Sequence, residues 1–230
     1  AFAKIMDYQV NAKVPSLVIA GSTGEKSTLS YDEYIDLIKF AVSHGNGRIN
    51  IIANCPDGST EAVIKTVQAI TKLGIDGIMC TTPFGNRPPQ RGLIEHYKQV
   101  AESTDLPIMP YLNPSRTGID MTDDTILRIA EIKNILTIKD SSSDIFRPMR
   151  LSHKLCDKLS FVSGNDDFLI GYSAHGGKGI VSVVSNAMPG IYVELVSHCI
   201  NGNFEEALKL QQQLLPLLNA VYMETNPIGI

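Results

Sequence analysis

Tryptophan is absent from the 230 residues, and aromatic side chains make up only 7% of them, so the core must rest on aliphatic packing. Cysteine is scarce as well. Cys55, Cys80, Cys156 and Cys199 lie far apart with no Cys-x-x-Cys pair, and a chain of this size needs no disulfide staples. Reduced thiols in a cytoplasmic protein are the expectation. No apolar run approaches the roughly 18 residues of a membrane span, and Ala1-Phe-Ala-Lys-Ile-Met-Asp7 lacks the basic-then-apolar pattern of a signal. There is no excess of positive charge either: 20 Lys and Arg against 24 Asp and Glu leave a net charge of −4. The basic residues are scattered, which argues against nucleic acid or an anionic membrane as partner. The five histidines, His44, His96, His153, His175 and His198, show no i,i+4 pair among themselves and no matching carboxylate spacing for a metal site, so no catalytic metal is expected. What is left is small-molecule chemistry.

What the chain does have is alternation. With 43% hydrophobic residues it can bury one large core. After a helix over 1–13, Val14-Pro-Ser-Leu-Val-Ile-Ala-Gly21 reads as a strand, and further strands are expected at 49–54, 78–82, 108–112, 135–139, 161–164 and 180–184. A helix begins at Ser30, which forms a capping-box pair with Glu33, and Gly45 stands where its C-terminal cap belongs. Other helices are expected near 60–73, 91–103, 123–132, 146–157, 167–174 and 189–200, with a last amphipathic one over 204–222. Such regular alternation implies an α/β fold with a parallel sheet. Polar residues follow nearly every strand instead of clustering at one switch point, which selects a closed barrel over an open doubly wound sheet. The expected organisation is one catalytic domain over 1–203, with 204–230 starting a C-terminal helical extension.

The stretch Ile135-Leu-Thr-Ile-Lys-Asp-Ser-Ser-Ser143 carries an anomaly. Its apolar run reads as a buried strand, and Lys139 at its carboxyl end must be paired, solvated or chemically used. By itself the stretch slightly favours a solvated lysine paired with Asp140. Tyr111 ends another strand, where a phenol can shuttle protons or can simply fill the core. Arg116 can grip a carboxylate through its planar fork or make an ordinary surface ion pair. Gly21-Ser-Thr-Gly-Glu-Lys-Ser-Thr28 superficially suggests a phosphate loop, but Glu25 interrupts the required Gly-Lys-Ser/Thr order. Ser22 and Thr23 instead offer hydroxyls for a small carboxylate, against the commoner reading of a plain turn. Asp166 and Asp167 stand where a helix should begin and read as its caps.

Taken together, Gly21-Ser-Thr-Gly-Glu25, Pro114-Ser-Arg-Thr-Gly118, Ile138-Lys-Asp140, Gly164-Asn-Asp166 and Glu224-Thr-Asn-Pro-Ile228 resemble, in order and spacing, the dihydrodipicolinate synthase and N-acetylneuraminate lyase family. The likeness covers the whole chain. It implies a (β/α)8 TIM barrel and class I aldolase chemistry, with Lys139 as Schiff-base lysine, Tyr111 as proton donor and acceptor, and Ser22 and Thr23 on the pyruvate carboxylate. It further implies that Gly164 and Val181 line the pocket with backbone groups. Arg116 after Pro114-Ser115 resembles the synthase branch, implying condensation of pyruvate with L-aspartate 4-semialdehyde to 4-hydroxy-tetrahydrodipicolinate for lysine and diaminopimelate synthesis. No cofactor is required, and the family is commonly a tetramer of tight dimers. The alternatives are an aldolase for N-acetylneuraminate or a 2-keto-3-deoxy acid, or a catalytically weak pyruvate-binding member of the fold.

Three departures from the family pattern carry expectations of their own. The chain reads Tyr111-Leu-Asn-Pro114 where synthases have Tyr-Asn-Val-Pro, which puts the support of Tyr111 in question. Gly85 stands where synthases carry a tyrosine that relays protons across a dimer interface, so slow condensation behind normal Schiff-base formation is expected. Finally, only seven strands can be counted. The resemblance puts the first barrel strand before Ala1 and the terminal helices after Ile230, so a native polypeptide longer at both ends is expected.

Overall fold

A computed structural model describes residues 1–155 and 158–230. In chain order it contains α1 (Phe2–Asn11), β1 (Ser16–Ile19), α2 (Tyr31–Gly45), β2 (Asn50–Cys55), α3 (Thr60–Ile70), β3 (Gly77–Thr81), α4 (Gln90–Glu102) and β4 (Ile108–Leu112). There follow α5 (Pro114–Thr117), α6 (Asp123–Ile129), β5 (Thr137–Asp140), α7 (Arg147–Leu155), β6 (Ser160–Ser163), α8 (Leu169–Ala174), α9 (Pro189–Ile200) and α10 (Phe204–Val221). The six strands form one sheet in the order β1 to β6, and every pairing is parallel. Because each strand pairs with the next in sequence, the helices between them are crossovers that cover one face of the sheet.

Residues of alternate parity along the strands serve two cores, as the two-residue period of a strand requires. On the outer face Ile51, Ala53, Ile78, Cys80, Leu112, Ile138 and Phe161 pack against Tyr34, Ile38, Val67, Leu93, Tyr97, Ile126 and Leu151 of the helices. On the inner face Met79, Met109 and Tyr111 meet Val18, Ile52, Val162 and Val181. Side chains from β1 and from beyond β6 share this inner cluster, so the sheet curls. α8, α9 and α10 add a separate cluster through Leu169, Tyr192, Leu195, Leu214 and Leu218.

Several expectations need correction. Among the described residues the sheet is a six-stranded half-barrel, open between β1 and the segment after Gly179, so one of the seven strands counted in the sequence is not formed. The strand expected at 180–184 is reduced to one bridge, Ile180 with Ser163. Asp166 explains why: its carboxylate accepts the backbone N–H groups of Val183 (3.0 Å) and Val184 (3.3 Å), turning the chain into the 3-10 turn Val184–Asn186. Asp166 therefore does not cap a helix; it also accepts from the Ser182 hydroxyl and from Tyr222 Oη at 2.6 Å. The capping box is present, with Ser30 N donating to Glu33 Oε2 (2.9 Å) and Glu33 N to Ser30 Oγ (3.3 Å). The left-handed C-cap, however, is Asn46 and not Gly45. Leu136 is 49% exposed and stands outside β5. α5 was not expected, and the helix expected at 146–157 includes Cys156 and Asp157, which lie outside the described residues. Cys55, Cys80 and Cys199 are free buried thiols. No helix among the described residues is long and apolar enough to cross a membrane.

Candidate active site

Strand register creates the site. Tyr111 on β4 stands directly beside Lys139 on β5, and Lys139 stands beside Val162 on β6. Both side chains point into the curl, where Lys139 is 7% exposed and Tyr111 5%. Lys139 Nζ lies 3.9 Å from the centre of the Tyr111 ring. The reading of Lys139 as a solvated lysine paired with Asp140 thus fails on both counts. Asp140 faces the other way and pairs with buried Arg147 (3.1 Å), while Arg147 also bonds Asp120 at 2.7 Å. Ser142 N and Tyr172 Oη donate to the same Asp140 carboxylate, at 2.8 and 3.3 Å. This network anchors the strand end that carries Lys139.

The Tyr111 hydroxyl has a buried partner. Asn113 Nδ2 donates to it at 2.7 Å, and Asn113 Oδ1 in turn accepts from Ser115 Oγ at 2.7 Å. Burial by itself pushes the phenol up. The positive charge of Lys139 and the neighbouring polar side chains, Asn113 among them, outweigh that, holding it below the ordinary tyrosine value. The displaced asparagine of Tyr111-Leu-Asn-Pro114 therefore does support the phenol, from two residues away.

All seven residues singled out in the sequence, Lys139, Tyr111, Ser22, Thr23, Arg116, Gly164 and Val181, line one cavity of ≈1820 Å³. That exceeds an ordinary small-molecule pocket, because the cavity continues from the mouth along the open side of the curl to Phe2, Leu136 and Ile200. Ser22 and Thr23 follow β1 through a strained residue: Ala20 has φ +54°, and Asn54 Nδ2 holds its carbonyl at 2.8 Å. Thr23 Oγ1 accepts from Asn226 Nδ2 at 3.2 Å, and the exposed Arg116 donates to the Asn226 carbonyl at 2.7 Å. Thr81 and Thr82 do not join the mouth, since Thr82 is buried against Tyr97 and the Tyr111 carbonyl. Gly85 is exposed at φ +84°, and a side chain there would meet nothing within 4 Å.

Three residues at the site were missed by the sequence reading of roles. Ser141 had a signal, because it lies two residues beyond Lys139 on the same strand face. Asn113 was noted only as an irregularity. Asn226 lies in the quoted motif Glu224-Thr-Asn-Pro-Ile228, but nothing local pointed to its partner Thr23, 203 residues away.

Fold and site define a class: a parallel α/β enzyme with a buried amine and a phenol at the carboxyl ends of neighbouring strands. Within that class, the chain belongs to the dihydrodipicolinate synthetase family, whose sequence model matches residues 1–230. A 4-hydroxy-tetrahydrodipicolinate synthase of Rickettsia bellii is 42% identical over 230 residues, all of this chain and 78% of the relative. The same enzyme of Rickettsia canadensis is 39% identical over the same shares. Among solved structures, dihydrodipicolinate synthase of Aquifex aeolicus superposes with a TM-score of 0.96 at 33% identity, covering 99% of this chain and 78% of that one. The Acinetobacter baumannii enzyme, solved with pyruvate, gives 0.95 at 36% identity over the same shares.

Proposed function

We propose that the protein is a lyase that condenses pyruvate with L-aspartate 4-semialdehyde to 4-hydroxy-tetrahydrodipicolinate, in lysine and diaminopimelate synthesis. The observation that carries the chemistry is the buried Lys139 amine lying 3.9 Å from the Tyr111 ring. An ordinary lysine, with pKa ~10.4, is mostly protonated at neutral pH, and only the free amine attacks a ketone. Ser22 and Thr23 hold the pyruvate carboxylate through hydroxyls, with Gly164 and Val181 lining the pocket through backbone groups. Lys139 adds to the keto carbon, Tyr111 supplies the proton with which the hydroxyl leaves as water, and a Schiff base forms. The iminium then withdraws electrons, so Tyr111 can take a methyl proton and leave an enamine nucleophile. Arg116, exposed at the mouth, is the grip for the carboxylate of the incoming aldehyde.

The architecture that goes with this reading is the complete (β/α)8 barrel of the family, with residues 1–203 supplying the catalytic part and 204–230 opening a helical extension. The half-barrel curl and the shared cluster of α8, α9 and α10 support it. A cytoplasmic homotetramer built as a dimer of dimers is part of the same reading, on family resemblance. The decisive experiment is borohydride reduction with pyruvate, followed by peptide mapping, together with a coupled assay using both substrates. One pyruvyl group on Lys139 and turnover of the semialdehyde are expected. Lys139→Arg should fold yet take no adduct, since guanidinium stays protonated. An adduct on another lysine, or better turnover of a sialic or keto-deoxy sugar acid, refutes the proposal.

A further inference from the structure

Asn54 does not line the cavity, yet the loop of Ser22 and Thr23 turns on its side chain. β1 ends at Ile19, which stands beside Ala53 of β2, so the next rung sets Ala20 beside Asn54. At that rung the chain leaves the sheet. Ala20 takes φ +54°, a left-handed conformation that an alanine keeps only where its surroundings impose it. Its carbonyl accepts the Asn54 side-chain amide at 2.8 Å. Only the nitrogen end of that amide can donate to a carbonyl, so the orientation of the Asn54 side chain is fixed. The other end is used as well. Thr81 Oγ1, at the end of β3, donates to Asn54 Oδ1 at 3.4 Å, and Tyr34 Oη from α2 donates to the Asn54 carbonyl at 2.8 Å. Asn54 is 3% exposed and Tyr34 0%, so one amide is held from both sides of β2, away from water.

The loop that follows closes on its own start. Glu25 N donates to the Ser22 carbonyl at 3.2 Å, and Glu25 is a second non-glycine residue with positive φ, at +49°. Gly24 packs on the backbone of Ala20: a Cβ built on Gly24 falls 2.9 Å from Ala20 Cα and 3.2 Å from Ala20 N. The direction of the Ser22 and Thr23 hydroxyls thus depends on the conformation of Ala20, and a strained residue stays put only when the bonds around it over-determine it. Building on the reading above, we propose that Asn54 is a positioning residue, which holds Ala20 in its left-handed turn and so presents Ser22 and Thr23 to the pyruvate carboxylate. Without the amide, the Ala20 carbonyl loses its anchor and Ala20 relaxes toward a negative φ. That swings the two hydroxyls away from the keto acid. Lys139 and Tyr111 stand on β5 and β4 and pair with each other, so they keep their places, and the loss falls on pyruvate binding and not on the chemistry that follows.

The test reads binding apart from chemistry. Borohydride trapping of pyruvate on Lys139, run over a series of pyruvate concentrations, gives a half-saturation and a maximal rate, and circular dichroism checks the fold. Asn54→Leu keeps the volume and removes the amide. Asn54→Ser keeps a small polar group whose hydroxyl stops one bond short of the Ala20 carbonyl, and it decides the matter if the leucine variant does not fold. In each folded variant the half-saturation should rise about tenfold, the scale of one lost hydrogen bond, with the maximal rate within about threefold of the unsubstituted protein. A residue that only stabilised the fold would lower the maximal rate through the folded fraction and leave the half-saturation alone. Adding Ala20→Gly, which takes a positive φ at no steric cost, should bring the half-saturation back to within about threefold of the unsubstituted protein. An unmoved half-saturation, a loss confined to the maximal rate, or no rescue by Ala20→Gly overturns the proposal. If the unsubstituted protein takes no adduct on Lys139, the functional reading falls and this inference with it. A normal adduct there, with the half-saturation unmoved in Asn54→Ser, overturns this inference alone.

Discussion

Replacing Arg147 with leucine should be among the most damaging single changes in the protein, although Arg147 lines no part of the cavity. Its side chain is 4% exposed and bonds the 1% exposed Asp140 at 3.1 Å. The bond to Asp120 at 2.7 Å is worth less, because that carboxylate is 40% exposed and screened by water. Leucine would leave the Asp140 anion with only Ser142 N and Tyr172 Oη as partners. Breaking a buried pair from one side costs about 3–5 kcal/mol, out of a total stability of about 5–15 kcal/mol. At about 2–4 °C per kcal/mol for a chain of this length, Tm should fall by about 6–20 °C. Thermal and urea unfolding followed by circular dichroism measure this. Adding Asp140→Asn removes the orphaned charge, so the double variant should regain about half of the loss or more. Because Asp140 directly follows Lys139, pyruvate trapping should weaken in the single variant and recover in the double. Arg147→Leu within about 1 kcal/mol of the parent, or no recovery on adding Asp140→Asn, refutes the reasoning.

Burial pushes His96 down to about 4, against ~6.5 in an unfolded chain, so the unfolded state binds more protons between those values and stability should fall by about 3 kcal/mol as pH drops from 6.5 to 4. In His96→Gln that dependence should vanish from urea unfolding, and a slope equal to the parent's would exclude His96 as its source. Ala20 holds φ +54° beside the loop of Ser22 and Thr23, so Ala20→Gly should stabilise by up to about 1 kcal/mol; unfolding at unchanged or lower urea would show that Ala20 is not strained. Arg116→Ala should raise the semialdehyde KM by an amount equivalent to about 1.5–3 kcal/mol, the worth of a hydrogen bond to a charged group. It should spare the pyruvate adduct, and an equal loss of both would contradict its placement at the second carboxylate.

Local chemistry made much of this protein legible in one dimension. Apolar strands alternating with capped helices announced a parallel α/β sheet, because the two-residue and 3.6-residue periods are properties of short segments. The capping box of Ser30 and Glu33 was readable for the same reason. Five motifs in register pointed to the family; they contain five of the seven residues that line one cavity, and the resemblance added Tyr111 and Val181. Where local signals competed with distant partners, the reading failed. Asp166 looked like a helix cap, but its carboxylate is claimed by backbone 17 and 18 residues on and by Tyr222, 56 residues on. The strand expected at 180–184 dissolved into a turn for that reason. What only the tertiary structure decided is the register that sets Tyr111 beside Lys139, the pairing of Asp140 with Arg147, the hold of Asn54 on Ala20 and the contact of Thr23 with Asn226. Apart from Asp140 and Arg147, which are seven residues apart, each joins residues far apart along the chain, and such contacts form only once loop closure has been offset by burial, which no local pattern encodes.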